Sequence, residues 1–142
     1  MFPGIDRSLW LLRGSGLRLD VDGREVLLER PLQRIDFAGE TLVHAHLLAG
    51  AIEDLNVFVE PATTSADARV LTLSPESCQA LSQPRSTTVV LDLDGELQVD
   101  GATPLCTGDA LRLDADDATA LVAASAGAAT VLVGSFVRRR GA

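Results

Sequence analysis

The feature that most constrains the fold of this chain is a repeated pattern of short segments in which apolar and polar residues alternate, separated by glycine-containing turns. Leu17, Leu19 and Val21 alternate with charged residues, and the pair Asp22-Gly23 follows. A period of two is typical of a β-strand with one buried face, and Asp-Gly is a strong signal for a two-residue hairpin turn. The chain has no long apolar stripe with the 3.6-residue period of a helix. The pattern therefore predicts an all-β protein.

The chain is expected to form two halves joined by a connector. Residues 60–88 are rich in Pro, Ser, Thr and Ala, and they contain one short strand candidate at residues 69–73. Beyond them, short strand candidates and Asp-Gly turns recur at even spacing, which favours a sandwich or a barrel. We predict a first half at residues 1–60 and a connector with a second half at residues 61–142, together forming one compact protein.

Length and charge narrow the possible functions. The 142 residues suffice for one well-buried domain or for two small barrels that share an interface. No apolar run approaches the roughly 18 residues of a membrane span, and the N-terminus resembles no secretion signal, so we expect a cytoplasmic protein that binds no membrane. The net charge of −8 argues against nucleic-acid binding, because basic surfaces bind phosphate backbones and the only basic cluster is at residues 138–140.

His44 and His46 are the residues that first suggest a metal site, but their pattern does not support one. Protein zinc and iron sites use three or four ligands, and the chain has no third histidine. Val43, Ala45 and Leu47 are the apolar set of this segment, which should leave both histidines on the opposite strand face. We therefore expect neither a metal nor another cofactor.

Motifs for covalent catalysis and for nucleotide binding are also missing from the sequence. Cys78 and Cys106 lie outside any C-x-x-C spacing, so both are expected to be free thiols. The chain contains no G-x-S-x-G nucleophile elbow and no glycine-rich phosphate loop. We identify no catalytic residue, and an enzymatic function is less well supported than binding.

One candidate strand, residues 54–60, carries polar residues on a single face. Its apolar set would pack between sheets. The other face carries Asp54, Asn56, Phe58 and Glu60, which would line a cavity or face solvent. We regard the cavity and a simple half-buried strand as equally well supported, since barrel mouths are common ligand sites.

Arg7 is the strongest candidate for contact with a ligand. It has the strand parity of Leu9, so the two side chains should enter the same space. A guanidinium matches a carboxylate with two hydrogen bonds, and Asn56 could supply a neutral donor and acceptor beside it. The alternative is a structural salt bridge between Arg7 and Asp6 or Asp54.

Several short motifs carry a resemblance to one protein family: Phe2-Pro3-Gly4-Ile5-Asp6-Arg7, Gly14-Ser15-Gly16-Leu17, Phe37-Ala38-Gly39-Glu40, Leu48-Ala49-Gly50 and Asp54-Leu55-Asn56-Val57. On these motifs the chain resembles the HutD/Ves family, cupin-like β-barrel proteins associated with histidine utilisation. In that family the first motif lies well inside the chain, so family-like N-terminal strands are expected to be absent here. The resemblance implies an all-β fold of two cupin-like β-barrels or sandwiches, of the bicupin, RmlC-like type, shortened at the N-terminus.

The resemblance also implies a function. It is the non-enzymatic binding of a small acidic metabolite of histidine breakdown, such as a formylated or formimino-glutamate or urocanate, with a regulatory outcome. The ligand-binding residues would be Arg7, Asn56, Asp54, Phe58 and Glu60, although the family carries an Arg at the position of Glu60. The alternatives are a metal-dependent cupin isomerase or dioxygenase and an interaction module without a pocket. Unpaired strand edges tend to recruit another chain, which predicts a homodimer.

Overall fold

A computed structural model describes residues 1–81 and 85–139 of the chain. The regular secondary structure of these residues consists of β-strands, so the predicted all-β class is confirmed. The chain divides into two compact units, Met1–Thr63 and Thr64–Ala142, each with its own hydrophobic core. Within the described ranges no helix is long and apolar enough to cross a membrane.

The first unit contains six short strands. They are β1 (Asp6–Gly14), β2 (Leu17–Val21), β3 (Arg24–Leu28), β4 (Arg34–Ala38), β5 (Val43–Leu47) and β6 (Ile52–Val59). They form two antiparallel three-stranded sheets, with strand orders β4-β1-β6 and β3-β2-β5. Strand β1 is therefore central in its sheet, with a partner along each edge.

The core of the first unit is built by alternating residues of these strands. Leu9 and Leu11 from β1 and Leu17 and Leu19 from β2 are almost fully buried, and Leu28 from β3 joins them. Because successive residues of a strand point to opposite faces, this set fixes which side of each sheet faces the interior. The side chain of Arg7 lies on the same face of β1 as the two core leucines.

Strand parity also places the two histidines. In the pairing of β2 with β5, His44 lies opposite Asp20 and His46 opposite Arg18, whereas Val43 is aligned with Val21 of the inner face. Both histidines are exposed. The predicted position of the histidines on the strand face away from the core is therefore confirmed.

The second unit contains eight strands. They are β7 (Thr64–Leu73), β8 (Gln79–Leu81), β9 (Ser86–Asp94), β10 (Glu96–Val99), β11 (Thr103–Cys106), β12 (Ala110–Leu113), β13 (Ala120–Ala124) and β14 (Ala129–Arg138). They form two four-stranded antiparallel sheets, with orders β11-β10-β13-β8 and β12-β9-β14-β7. The core between them includes Val90, Leu97, Val122 and Val131, all fully buried.

Two Asp-Gly pairs form tight hairpin turns, as the sequence predicts. Asp22 and Gly23 have φ angles of 50° and 81°, and Asp100 and Gly101 have angles of 52° and 68°. Positive φ at both central residues is the signature of a type I′ turn, whose twist matches that of the flanking strands. These turns fix the register of β2 with β3 and of β10 with β11.

The strand expected at residues 69–73 is longer than the sequence indicates. Strand β7 begins at Thr64, and each of its ten residues is paired with a residue of β14. Local composition favoured a connector here, because the segment Thr64–Ala68 is small and polar. Pairing with a long neighbour supplies the backbone hydrogen bonds that composition does not predict. Strands β8 and β11 were missed for the same reason.

Candidate ligand-binding site

Arg7 lies at the centre of an aromatic cage, which we define as the rings of Phe2, Phe37 and Phe58. The register places Arg7 of β1 directly between Phe37 of β4 and Phe58 of β6. The guanidinium carbon is 4.9 Å from the centre of the Phe37 ring, 4.8 Å from that of Phe58 and 5.4 Å from that of Phe2. Each distance is within the range of a cation–π interaction. The rings therefore stabilise the charge of Arg7 without neutralising it.

A chain of two hydrogen bonds connects Arg7 to the polar face of β6. The Nη2 group of Arg7 donates to Oδ1 of Asn56 at 2.7 Å, and Nδ2 of Asn56 donates to Oδ2 of Asp54 at 3.2 Å. The carboxylate of Asp54 therefore fixes the orientation of the amide, because it can accept only from the amide nitrogen. As a result, the Asn56 oxygen points to Arg7.

The charge of Arg7 has no counter-charge within the described part of the chain. The alternative of a salt bridge to Asp6 or Asp54 is not observed: no carboxylate of residues 1–81 or 85–139 forms an ion pair with Arg7. Its Nε group is buried and has no hydrogen-bond partner there. A partly buried cation with neutral neighbours is a favourable place for an anion.

The cage borders solvent through two of its rings. Phe2 is 48% exposed and Phe58 is 45% exposed, and the two rings meet edge to face with their centres 5.1 Å apart. Because these two rings are partly exposed, a ligand in contact with them would remove more of their apolar surface from water, which is favourable. The site thus combines a cation with apolar surface that a ligand could cover.

The structure brings together four of the five residues predicted to bind ligand. Asp54, Asn56 and Phe58 share the interior face of β6 with Arg7 beside them. Glu60 lies beyond the end of β6, where its carboxylate accepts a hydrogen bond of 2.6 Å from the Thr63 hydroxyl. The inclusion of Glu60 in this set finds no support in the contacts of the site.

Sequence reasoning missed Phe2 and Phe37, which supply two of the three rings. Phe37 lies on β4, and its position opposite Arg7 depends on the register of β1 with β4. Phe2 precedes β1, and two backbone hydrogen bonds hold its segment to Gly39: Phe2 N to Gly39 O at 2.8 Å and Gly39 N to Ile5 O at 2.6 Å. No local pattern in the sequence predicts these contacts.

The described residues offer no metal centre. No group of three or more His, Cys, Asp or Glu side chains within residues 1–81 and 85–139 is arranged to hold a metal ion. Glu53, the first acidic residue after the histidines in sequence, instead pairs with Arg13 at 3.5 Å. Cys78 and Cys106 are exposed free thiols.

A second unusual ionisable group, Asp92, lies in the core of the second unit. Its side chain is 1% exposed, and neither carboxylate oxygen has a hydrogen-bond partner in the described part of the chain. Burial raises the pKa of Asp92, the nearby backbone N–H of Asp94 offsets part of this rise, and the negative charges of Asp94 and Asp109 raise the pKa further. The carboxylate is sealed from solvent, so it is not a ligand site.

The fold is that of a cupin-like β protein. The YlbA protein of Escherichia coli shows the fold alone: the two structures align with a TM-score of 0.65 at 10% identity, over 98% of this chain and 70% of YlbA. The chain belongs to the HutD family, whose sequence model matches residues 1–131.

Several relatives are more similar in sequence. The crystal structure of PA5104 from Pseudomonas aeruginosa PAO1 aligns with a TM-score of 0.83 at 26% identity, over 98% of this chain and 75% of PA5104. HutD from Pseudomonas fluorescens SBW25 aligns with a TM-score of 0.79 at 25% identity, over 98% of this chain and 71% of HutD. A 21.2 kDa protein of Pseudomonas putida, encoded in the hutC 3′ region, is 40% identical over 60 residues. That match spans 42% of this chain and 32% of the relative.

Proposed function

We propose that this chain binds a small carboxylate metabolite at Arg7 without converting it, and that binding serves the regulation of histidine utilisation. The observation that carries the proposal is the chemistry around the guanidinium. Arg7 is half-buried, surrounded by three aromatic rings, and hydrogen-bonded to a neutral amide instead of a carboxylate. A carboxylate would supply the missing negative charge and accept hydrogen bonds from the free guanidinium edge.

The family supports the class of ligand. The structure of HutD from P. fluorescens is that of a formate condition, and formate is the smallest carboxylate. The P. putida relative is encoded beside hutC. Acidic products of histidine breakdown are therefore the carboxylates to test first, among them urocanate, glutamate and formylglutamate.

The test is a thermal-shift titration of the full chain with urocanate, glutamate, formylglutamate and formate. A ligand that binds only the native state raises the melting temperature, with a stabilisation of about 2.7 kcal/mol at 100 times Kd. We expect at least one of these carboxylates to stabilise the wild type. Arg7→Ala should weaken that binding by roughly 10- to 100-fold, because hydrogen bonds to a charged group contribute about 1.5–3 kcal/mol.

Asn56→Asp is the more discriminating variant. It replaces the amide nitrogen of Asn56 by an oxygen, so that residue 56 carries a negative charge beside Arg7 and competes with the ligand. We expect it to fold and to lose carboxylate affinity. Arg18→Ala is the matched control, because Arg18 belongs to the same unit and is exposed, with its salt bridge to Glu25. No shift with any ligand, or equal shifts in the wild type and both site variants, would contradict the proposal and favour an interaction module.

A further inference from the structure

The second unit contains a polar row at one end of a sheet face whose central residues are apolar. On the inner face of the sheet β12-β9-β14-β7, Val90, Val131 and Val133 belong to the core. One row further along the strands, Ser135 of β14 is paired with Asp67 of β7 and with Thr88 of β9. Packing alone favours apolar residues at such positions, so this row has a different role.

The row lines a small cavity. The cavity has a volume of about 80 Å³, and its polar lining residues are Asp67, Arg69, Thr88 and Ser135, with Leu81 and Val133 as apolar ones. Thr88 is only 4% exposed and lies at the buried side, whereas Asp67 and Arg69 are exposed at the rim. A water molecule occupies about 30 Å³ of liquid, so the cavity has room for roughly three heavy atoms.

The rim carries two opposite charges that do not neutralise each other. Asp67 and Arg69 are two residues apart on β7, so both side chains project to the same face. Neither forms a salt bridge within the described ranges. The cavity therefore presents a cationic donor, an anionic acceptor and the hydroxyl groups of Thr88 and Ser135, of which Thr88 is buried.

We propose that this cavity binds the head group of a free α-amino acid. The carboxylate would accept hydrogen bonds from the guanidinium of Arg69 and from the Thr88 hydroxyl, and the ammonium would donate to the carboxylate of Asp67. The volume fits the three heavy atoms of the carboxylate, so the α-carbon, the ammonium and the amino-acid side chain lie at the opening beside the two charges. This site lies in the other unit from Arg7 and is independent of the function proposed there.

The experiment uses three matched probes on the full chain carrying Arg7→Ala, so that the first site does not interfere. Glycine has both charged groups, acetate only the carboxylate and methylamine only the ammonium. Each is titrated while amide ¹H–¹⁵N chemical shifts are recorded. We expect glycine to shift the amides of residues 67–69, 88 and 133–135 in a saturable manner. Acetate and methylamine should bind at least tenfold more weakly.

Two substitutions separate the roles of the charges. Arg69→Gln should weaken glycine binding at least tenfold, and Asp67→Asn should do the same while leaving acetate binding unchanged or stronger. Arg112→Gln is the matched control. Arg112 does not line the cavity and forms an ion pair with Asp114 over 2.9 Å, so this substitution should leave glycine binding unchanged. The spectra themselves report whether each variant folds. Absent shifts with glycine, equal binding of glycine and acetate, or unaltered binding in Arg69→Gln would overturn the proposal.

Discussion

Arg7 and Asp92 are both ionisable side chains in apolar surroundings, and they differ in what a ligand can reach. The guanidinium of Arg7 is surrounded by rings that border solvent, whereas both oxygens of Asp92 are sealed. A charge that borders solvent can be compensated by a bound ion. A sealed carboxylate is instead favoured in its protonated, neutral form.

Asp92→Asn should therefore stabilise the protein, and the gain should depend on pH. An unfolded aspartate ionises above about pH 3.9. Burial and the charges of Asp94 and Asp109 raise the folded pKa of Asp92, so the folded state retains its proton longer than the unfolded state. Stability then falls as the pH rises from about 4 to the folded pKa. We expect Asp92→Asn to gain about 1 kcal/mol or more at pH 7 and almost nothing at pH 3.

The measurement is a set of chemical denaturation curves between pH 3 and pH 8 for both proteins. Asp116→Asn serves as the control, because it removes the same charge from an exposed position in the same unit. A gain that is equal at pH 3 and pH 7, or that the control reproduces, would show that ionisation of Asp92 is not the cause.

Part of the candidate site follows from strand parity alone. Arg7 and Leu9 share a face of one strand, and Asn56 occupies the polar face of another, so the strand face of each side chain could be predicted from alternation. The rings of Phe2 and Phe37 could not, because register with a distant strand has no local signal. Asp92 could not be recognised either, because it shares the more polar face of β9 with Ser86 and Thr88, and this face is the buried one.

At the scale of the strands, the turns were predictable and the pairing partners were not. The sequence Asp-Gly predicts the geometry of a tight turn, and this geometry predicts the pairing of β2 with β3. Strand β7 owes its length to β14, which lies more than fifty residues away in the sequence. Long-range pairing of this kind overrides local composition, which is why part of the connector expected within residues 60–88 is the long strand β7.

Gly39 links the segment before β1 to the aromatic cage. An alanine Cβ at residue 39 would lie 2.7 Å from the carbonyl oxygen of Ile5 and still closer to that of Phe2. The backbone before β1 would have to move, and the ring of Phe2 would move with it. We expect Gly39→Ala to cost about 1–3 kcal/mol of stability, as overpacking does, and to weaken carboxylate binding.

Two comparison variants separate these effects, by melting temperature and ligand titration. Phe2→Ala should weaken binding as Gly39→Ala does, since both remove the ring from Arg7. Gly23→Ala adds the same methyl group at a position where no atom lies within 4 Å. Because residue 23 has a positive φ, we expect this substitution to lower the stability but to leave the affinity unchanged. If Gly39→Ala retained both the wild-type melting temperature and the wild-type affinity, the packing of residue 39 against the first segment would be wrong.

At the scale of the whole molecule, exposed apolar side chains on the first unit favour association. Strand β5 is at the edge of its sheet, and Leu47 is 57% exposed although it lies on the strand face that is aligned with the core residue Leu17. Leu42 and Leu48 beside it are also exposed. Apolar groups next to an unpaired strand edge are a common route to pairing with a second copy.

We therefore expect a homodimer, with twice the 14.9 kDa mass of one chain in light scattering after gel filtration. Leu47→Glu should convert it to a monomer by placing a charge in the interface. His46→Glu adds a carboxylate to the adjacent residue on the opposite face of β5 and should leave the dimer intact. A monomeric mass for the wild type would contradict this expectation.

The aromatic cage has a consequence for the order of folding events. Arg7 contacts rings from three segments, and the partners at residues 37 and 58 are far from it in sequence. Such contacts are costly to close early, because long loops lose conformational entropy before the contacts form. The cage is therefore complete only when β4 and β6 have both joined β1. Because the complete cage forms late, ligand binding would lower the unfolding rate of the first unit more than it raises the folding rate.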